Sequence, residues 1–263
     1  MDYIKNNKAA WEEGFDNRKP NWGDENYKKI KSEKLAFFNA DMRNELEMID
    51  FRGKAVAQFC CNNGRELLSL MSLGVDRAVG FDIAENIIEQ AKDTAKKAEI
   101  VNCDFIACNI LEIPAEHHNQ FHVIILTVGA ICWFEDLSLF FDKASKCLKD
   151  DGILIMNEIH PFENMLPIPG EDKFDPRNLD KLAYSYFRVE PWIQNDGMNY
   201  MSREYKSKTF TSFSHTLSEI INSLSANGMK TVKFNEYDYD IGVTDIYDGM
   251  GFPLSFILVV QKG

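Results

Sequence analysis

Short apolar runs alternate with amphipathic stretches through most of the chain. The apolar runs predict seven strands, at residues 55–60, 78–82, 105–108, 123–127, 153–158, 231–237 and 256–261. The amphipathic stretches predict helices at residues 65–73, 86–97 and 137–148, and a further helix from 217 to the glycine at 228. Strands that alternate with helices are typical of right-handed crossover units and a parallel sheet.

The connection between the last two predicted strands differs from the earlier ones. It is too short to hold a full crossover helix, so antiparallel pairing is the easier arrangement. The sequence therefore predicts an α/β fold with a doubly wound, mostly parallel seven-stranded sheet whose last strand is antiparallel. We expect this core to comprise residues 53–160 and 209–263.

Two segments lie outside the alternating pattern. Residues 1–52 carry a helical pattern from about Tyr27 to Ile49 and predict a helical N-terminal cap. Residues 161–208 are rich in aromatic side chains, and their alternation predicts an inserted cap of short antiparallel strands. Both could cover the carboxyl edge of the sheet, where open α/β sheets bind ligands. The alternative is that these aromatic residues only bury hydrophobic area.

Charge and cysteine content indicate which partners are disfavoured and in which cellular compartment we expect the protein. The net charge is −12, from 29 basic and 41 acidic residues, which disfavours nucleic acid and anionic membrane surfaces. None of the six cysteines shows the paired spacing of a zinc site, so no metal is expected. The first residues lack the apolar stretch of a signal peptide, and no apolar run is long enough to span a membrane. We therefore expect a cytoplasmic protein.

Candidate binding residues follow the first two predicted strands. The segment 58–66 forms the first strand-to-helix turn, and its Gly64 suits a close backbone approach to a ligand. Asp82 ends the second strand, 18 residues after Gly64. A carboxylate at this place presents two acceptors to the ribose hydroxyls of a nucleoside. The alternatives are an ordinary turn at 58–66 and an Asp82 that caps the next helix.

Several motifs then resemble those of a known family. The run "CNNGRELLSLMSLGVDRAVGFD" resembles motifs I and II of class I S-adenosylmethionine-dependent methyltransferases, in a subgroup with one glycine in motif I. "CNILEIP" resembles the family's third segment, "FHVIILTVGAICWFEDL" its fourth motif and "CLKDDGILIMNEIHPF" its fifth strand. "SHTLSEIINSLSANGM" and "FPLSFILVVQKG" resemble the C-terminal half, so the resemblance covers about residues 50–160 and 209–263.

The resemblance implies S-adenosylmethionine as the cofactor and a set of residues that would bind it. These residues are Cys61, Asn62, Gly64, Asp82, Ile83, Asn109, Ile110 and Thr127. The turn residues would line the methionine part, Asp82 would hold the ribose, and Ile83 would pack on the adenine. Asn109 stands where the family usually has an aspartate. The chain also departs from the family at Gln58, which replaces an acidic residue, and at Cys60 and Asn62, which replace glycines.

Methyl transfer by in-line displacement depends mainly on alignment of the reacting atoms and exclusion of water. A general base helps where the acceptor carries a proton. His160, after the fifth strand, and His215, before the last helix, are the candidate bases, and either could instead have a structural role. Trp133, after the fourth strand, is a candidate substrate-binding residue, as is His160.

The sequence favours a methyltransferase that acts on a small molecule, without naming that molecule. One alternative is a non-catalytic binding or regulatory protein on the same scaffold, which the altered first motif leaves open. A nicotinamide-dependent oxidoreductase is a weaker alternative, because the GxGxxG fingerprint and a YxxxK pair are absent. The sequence leaves a homodimer open.

Overall fold

The structure is a computed structural model that describes residues 2–263. The helices are α1 (Asp2–Asp16), α2 (Asn26–Ser32), α3 (Ala40–Glu47), α4 (Arg65–Leu70), α5 (Glu85–Ala98), α6 (Leu137–Cys147) and α7 (Leu217–Ala226). The strands are β1 (Ala55–Phe59), β2 (Arg77–Asp82), β3 (Cys103–Ala107), β4 (Phe121–Thr127), β5 (Leu148–Ile159), β6 (Trp192–Gln194), β7 (Phe210–Ser212), β8 (Met229–Tyr237) and β9 (Ser255–Lys262). Within the described residues, no helix combines the length and the apolar character that a membrane crossing requires.

Seven strands form one sheet in the order β3-β2-β1-β4-β5-β9-β8. Strands β1 to β5 pair in parallel, whereas β9 runs antiparallel to both β5 and β8. The predicted fold class is therefore confirmed. The order of the strands reverses between β1 and β4, and open α/β sheets form their ligand crevice at such a point, outside the carboxyl ends of the strands.

Helices cover both faces of this sheet, which is why its central strands are apolar on both sides. Helices α6 and α7 pack on one face, where Phe140 and Ile220 are fully buried. Helices α3, α4 and α5 pack on the other, through residues such as Met42 and Leu67. Burial of each large apolar side chain contributes roughly 1.5–3 kcal/mol. These two layers therefore fix the sheet, and the sheet positions the loops at its carboxyl edge.

The N-terminal region contains three helices. The helical pattern predicted from Tyr27 to Ile49 is divided into α2 and α3. Leu35 lies between them with a left-handed φ of 51°, which interrupts the helical path. Helix α3 then restarts at Asn39, whose side chain accepts a hydrogen bond from the N–H of Met42 over 2.8 Å.

Strand β6 of the inserted segment pairs antiparallel with β7, which lies just beyond the predicted boundary at residue 208. A buried amide joins them to α1. The Asn7 side chain donates to the carbonyl oxygen of Thr211 over 2.8 Å and accepts from the Thr211 N–H over 2.7 Å. Helix α1 and the β6–β7 hairpin are therefore joined by buried hydrogen bonds.

Glu163 connects the inserted segment to the loop between β8 and β9. It is 4% exposed, and its carboxyl group interacts with the carboxylate of Asp240. Burial and this neighbouring carboxylate raise the pKa of Glu163 to about 10. The Asp240 carboxylate is itself held by the N–H groups of Gly242 and Val243, at 2.6 and 2.7 Å. Glu163 is therefore protonated at neutral pH, and neither of its oxygens has a hydrogen-bond partner among residues 2–263.

This arrangement predicts how stability depends on pH. The folded-state pKa of Glu163 lies above the value of about 4.3 in an unfolded chain. Its stabilising contribution is therefore complete below pH 4.3 and is lost as the pH rises toward 10. Glu163→Gln keeps the size of the side chain but cannot ionise. We expect the variant to gain at least about 1 kcal/mol over the parent between pH 5 and pH 8.

Denaturant unfolding at several pH values measures this difference. Glu204→Gln is the matched control, because Glu204 is an exposed glutamate of the same inserted segment. Its stability curve should run parallel to that of the parent. If the Glu163→Gln curve also ran parallel to the parent, the buried carboxyl pair would have no role in stability.

Candidate functional site

The turn between β1 and α4 has an unusual backbone. Cys60, Asn62 and Gly64 have positive φ angles of 54°, 49° and 70°. Residues other than glycine rarely adopt this left-handed conformation, which costs about 1–2 kcal/mol per residue. Such backbone persists only where the surrounding structure holds it, and it is concentrated at functional sites. The turn therefore keeps a glycine-like path at Cys60 and Asn62.

Gly64 is required by packing inside the protein as well as by its φ angle. A Cβ atom on Gly64 would lie 2.3 Å from the Phe105 ring and 3.2 Å from the Ala91 side chain. The glycine thus lets α4 begin close to β3 and α5. Cys61 is fully buried, and its N–H donates to the carbonyl oxygen of Phe81 over 2.9 Å. Both residues shape the turn, and their contact with the methionine part of a cofactor stays a prediction.

Asp82 ties the first two loops of the carboxyl edge together. Its Oδ2 accepts from the N–H of Asn62 over 2.8 Å, and its Oδ1 accepts from the N–H of Ala84 over 3.0 Å. Burial raises the pKa of the Asp82 carboxyl, and these N–H groups partly oppose the shift. A carboxylate has about four lone-pair sites, so acceptor capacity remains for a ligand. Ile83 follows directly and is half-buried.

The third loop joins the second through the backbone. Cys108 donates its N–H to the carbonyl oxygen of Asp82 over 2.7 Å. Asn109 begins a short 3-10 turn, and its side-chain oxygen accepts from the N–H of Leu111 over 3.1 Å. Ile110 is 3% exposed and packs into the core. The structure therefore brings Asn62, Asp82 and the start of this third loop together.

The end of β4 is held by two buried polar side chains. Gln58 donates its amide to Oγ1 of Thr127 over 2.7 Å. Glu158 is 1% exposed and accepts from the N–H groups of Gly129 and Ala130, both at 2.7 Å. Burial raises the pKa of Glu158, whereas these N–H groups lower it. Glu158 thus fixes the turn that follows Thr127.

A cavity of about 260 Å³ opens beside Thr127. Its walls come from the segment before α3, the start of α4, the ends of β4 and β5, and the β8–β9 loop. The lining residues are Phe37, Phe38, Asn39, Arg65, Glu66, Thr127, Val128, Asn157, Tyr239, Asp240 and Ile241. Its aromatic, amide and charged side chains suit a small molecule with both apolar and polar parts.

The two candidate histidines are buried and held by protein groups. His160 accepts the N–H of Phe162 at Nδ1, over 3.0 Å, and its Nε2 lies 3.0 Å from Oε1 of Glu236. Burial lowers the pKa of His160, and Glu236 opposes that shift. His215 contacts Glu219 and the carbonyl oxygen of Phe134, each at 2.9 Å. Neither ring lines the cavity, and a role of either ring as general base stays a prediction.

Trp133 lies in an aromatic cluster of the cap. Its ring centroid is 5.3 Å from that of Trp11 in α1 and 6.1 Å from that of Phe210 in β7. Tyr200, in the inserted segment, extends this cluster and accepts a hydrogen bond from the Asn62 side chain over 3.1 Å. Sequence reasoning missed Tyr200, because no pattern connects positions 138 residues apart.

No metal centre is evident among residues 2–263, which contain no group of three or more His, Cys, Asp or Glu side chains arranged to hold an ion. All six cysteines are free thiols. Burial raises the pKa of Cys108 to about 11 and that of Cys147 to about 12, which leaves these thiols protonated and weakly reactive at neutral pH. The polar groups described at this edge are the Asp82 carboxylate, the side-chain amides and the backbone N–H groups.

Comparison with known sequences identifies the domain. The sequence model of a family described as "Methyltransferase domain" matches residues 51–183, just over half of the chain. A malonyl-(acyl-carrier protein) O-methyltransferase from Acetivibrio thermocellus is 28% identical over 128 residues, which cover 48% of this chain and 40% of that protein. The matched regions span between 32% and 66% of the length of the curated relatives.

Solved structures share the fold at low sequence identity. A methyltransferase from Methanosarcina mazei superposes with a TM-score of 0.60 at 15% identity, over 86% of this chain and 98% of that one. A methyltransferase from Clostridium acetobutylicum gives 0.59 at 13% identity, over 90% and 92%. The geranyl diphosphate C-methyltransferase of Streptomyces coelicolor gives 0.58 at 12% identity, over 91% and 82%.

The family match covers the segment that builds the crevice, from the strand before the first turn to the end of β5. The solved methyltransferases share the overall fold of this sheet and its helices. The chain therefore belongs to the methyltransferase-domain family, and it shares the fold of solved S-adenosylmethionine-dependent methyltransferases.

Proposed function

We propose that the protein transfers a methyl group to a small-molecule acceptor by in-line displacement at the carboxyl edge of its sheet. The observation that carries the proposal is the position of Asp82, where the Asn62 and Ala84 N–H groups hold a half-buried carboxylate between two loops. That carboxylate is placed to accept from both hydroxyls of a ribose. Asn62, Asn109 and Ile110 stand beside it.

The polar groups at this edge fit the proposed cofactor. The turn at Cys60–Gly64 has the left-handed backbone that permits close approach, and the spare acceptor sites of Asp82 suit a diol. When bound, S-adenosylmethionine would supply a methyl group on a positively charged sulfur. Thr127 would lie beside that methyl group, because β4 ends next to the first turn in the sheet.

The acceptor would occupy the cavity beside Thr127. Glu158 and Gln58 keep this region rigid, since each is buried and hydrogen-bonded to the end of β4 or to the turn that follows it. Alignment of this kind can account for about 7–11 kcal/mol of the barrier. The protein thus acts mainly by positioning the acceptor and excluding water.

Two features of composition bear on the partners. The net charge of −12 weighs against nucleic acid as the methyl acceptor. The six free thiols are consistent with the reducing cytoplasm that the sequence suggested. The exclusion of nucleic acid and the cytoplasmic location are both parts of this proposal.

Replacement of Asp82 tests the cofactor site directly. Asp82→Ala removes the acceptors for the ribose, so we expect S-adenosylhomocysteine to bind about 10- to 100-fold more weakly in calorimetry. Asp82→Asn is the second variant, since it keeps one acceptor oxygen should the alanine variant fail to fold. Asp104→Ala removes an exposed aspartate from β3 and should bind as the parent does. Unchanged affinity in folded Asp82 variants would contradict the proposal.

The altered first motif allows a second test. Because Cys60 already has a left-handed backbone, Cys60→Gly should change the affinity for S-adenosylhomocysteine by less than about 3-fold. Cys60→Ala, which removes the thiol and keeps Cβ, is the matched control. A gain of tenfold or more in Cys60→Gly alone would show that the side chain obstructs the cofactor. Calorimetry measures both variants.

A further inference from the structure

One turn of the inserted segment contacts the turn between β1 and α4. Tyr200 lies at its tip and is 49% exposed, yet the next two residues, Met201 and Ser202, are 0% and 1% exposed. Met201 packs with Phe15 of α1, and its carbonyl oxygen accepts from the N–H of Lys19 over 2.9 Å. The backbone on the C-terminal side of Tyr200 is therefore fixed, and its side chain is presented from a rigid support.

The Tyr200 hydroxyl contacts a residue that itself holds Asp82. Asn62 donates its side-chain amide to the Tyr200 oxygen over 3.1 Å, and its backbone N–H donates to Asp82 over 2.8 Å. The Asn62 amide oxygen accepts from the N–H of Asn63 over 2.8 Å, which sets the orientation of the amide. Tyr200 is therefore an acceptor in this contact, and its own hydroxyl proton stays available.

Aromatic side chains support the tyrosine ring from the side of the N-terminal cap. The ring centroid of Tyr200 lies 6.5 Å from that of Trp11 and 6.1 Å from that of Trp22. These separations are within the range of favourable aromatic pairs. The three rings join α1, the segment that follows it and the inserted segment above the turn at Asn62.

We propose that Tyr200 is a cofactor-binding residue: its hydroxyl donates a hydrogen bond to a ribose oxygen of S-adenosylmethionine, and its ring closes the crevice over Asp82. The inference rests on the proposed function, because it takes Asp82 as the ribose ligand. The chemistry of the pair is complementary. Each ribose hydroxyl donates and accepts, Asp82 offers only acceptors, and Tyr200 offers the donor that Asp82 lacks.

The test compares variants that separate the hydroxyl from the ring. Tyr200→Phe removes only the hydroxyl, and Tyr200→Leu also removes the ring. Tyr205→Phe is the matched control: the same change in the same segment, at a tyrosine whose buried hydroxyl has no hydrogen-bond partner within residues 2–263. The probes are S-adenosylhomocysteine and 5′-methylthioadenosine, which keeps the ribose and lacks the amino-acid end.

We expect Tyr200→Phe to weaken the binding of both probes by about 3- to 10-fold in calorimetry. Tyr200→Leu should weaken binding further, and Tyr205→Phe should bind as the parent does. The melting temperature of ligand-free Tyr200→Phe should equal that of the parent, which separates a binding role from a structural one.

Three outcomes would overturn the inference. Parent-like affinity of Tyr200→Phe for both probes would show that the hydroxyl makes no contact with the cofactor. A loss confined to S-adenosylhomocysteine would place the contact on the amino-acid end instead of the ribose. Failure of the parent itself to bind S-adenosylhomocysteine would refute the proposed function, and with it this inference.

Discussion

The hydrogen bonds that Asp82 accepts from Asn62 and Ala84 organise the carboxyl edge of this sheet. A half-buried carboxylate loses part of its hydration, and the two N–H groups replace it with hydrogen bonds. Because they belong to different loops, the carboxylate fixes the distance between the first turn and the start of α5. The third loop is then attached through the backbone of the same residue. A cofactor would meet a surface that is already assembled.

The fold could be read from the sequence because its signals are local. Strands β1 to β5 are short apolar runs whose partners follow at regular spacing, and buried parallel strands have this pattern. Helix α6 begins at a predictable place, since Asp136 caps it with hydrogen bonds to two N–H groups. The helical pattern predicted for the N-terminal cap did not extend to α1. The buried face of this helix includes Asn7, Ala10 and Gly14, which leave little hydrophobic periodicity. It is positioned by a buried amide and by aromatic contacts from distant segments.

The candidate site, like the fold, has some features that the sequence indicates and others that depend on contacts between distant segments. Asp82 could be proposed because it ends a strand of the predicted sheet, and the carboxyl ends of parallel strands share one edge. Thr127 was proposed from the resemblance of its motif. The left-handed conformation of Cys60 could not be predicted, since nothing in its side chain favours it. The partners of His160 and His215 depend on where Glu236 and Phe134 are carried by the fold. The sequence can therefore place a histidine near the carboxyl edge of the sheet, but it does not reveal which protein groups contact the ring.

The paired hydrogen bonds between Asn7 and Thr211 determine how the elements beside the crevice can move. Separating α1 from β7 would break both hydrogen bonds, and each contributes about 0.5–1.5 kcal/mol to stability. The helix and the hairpin are therefore expected to travel as one rigid flap.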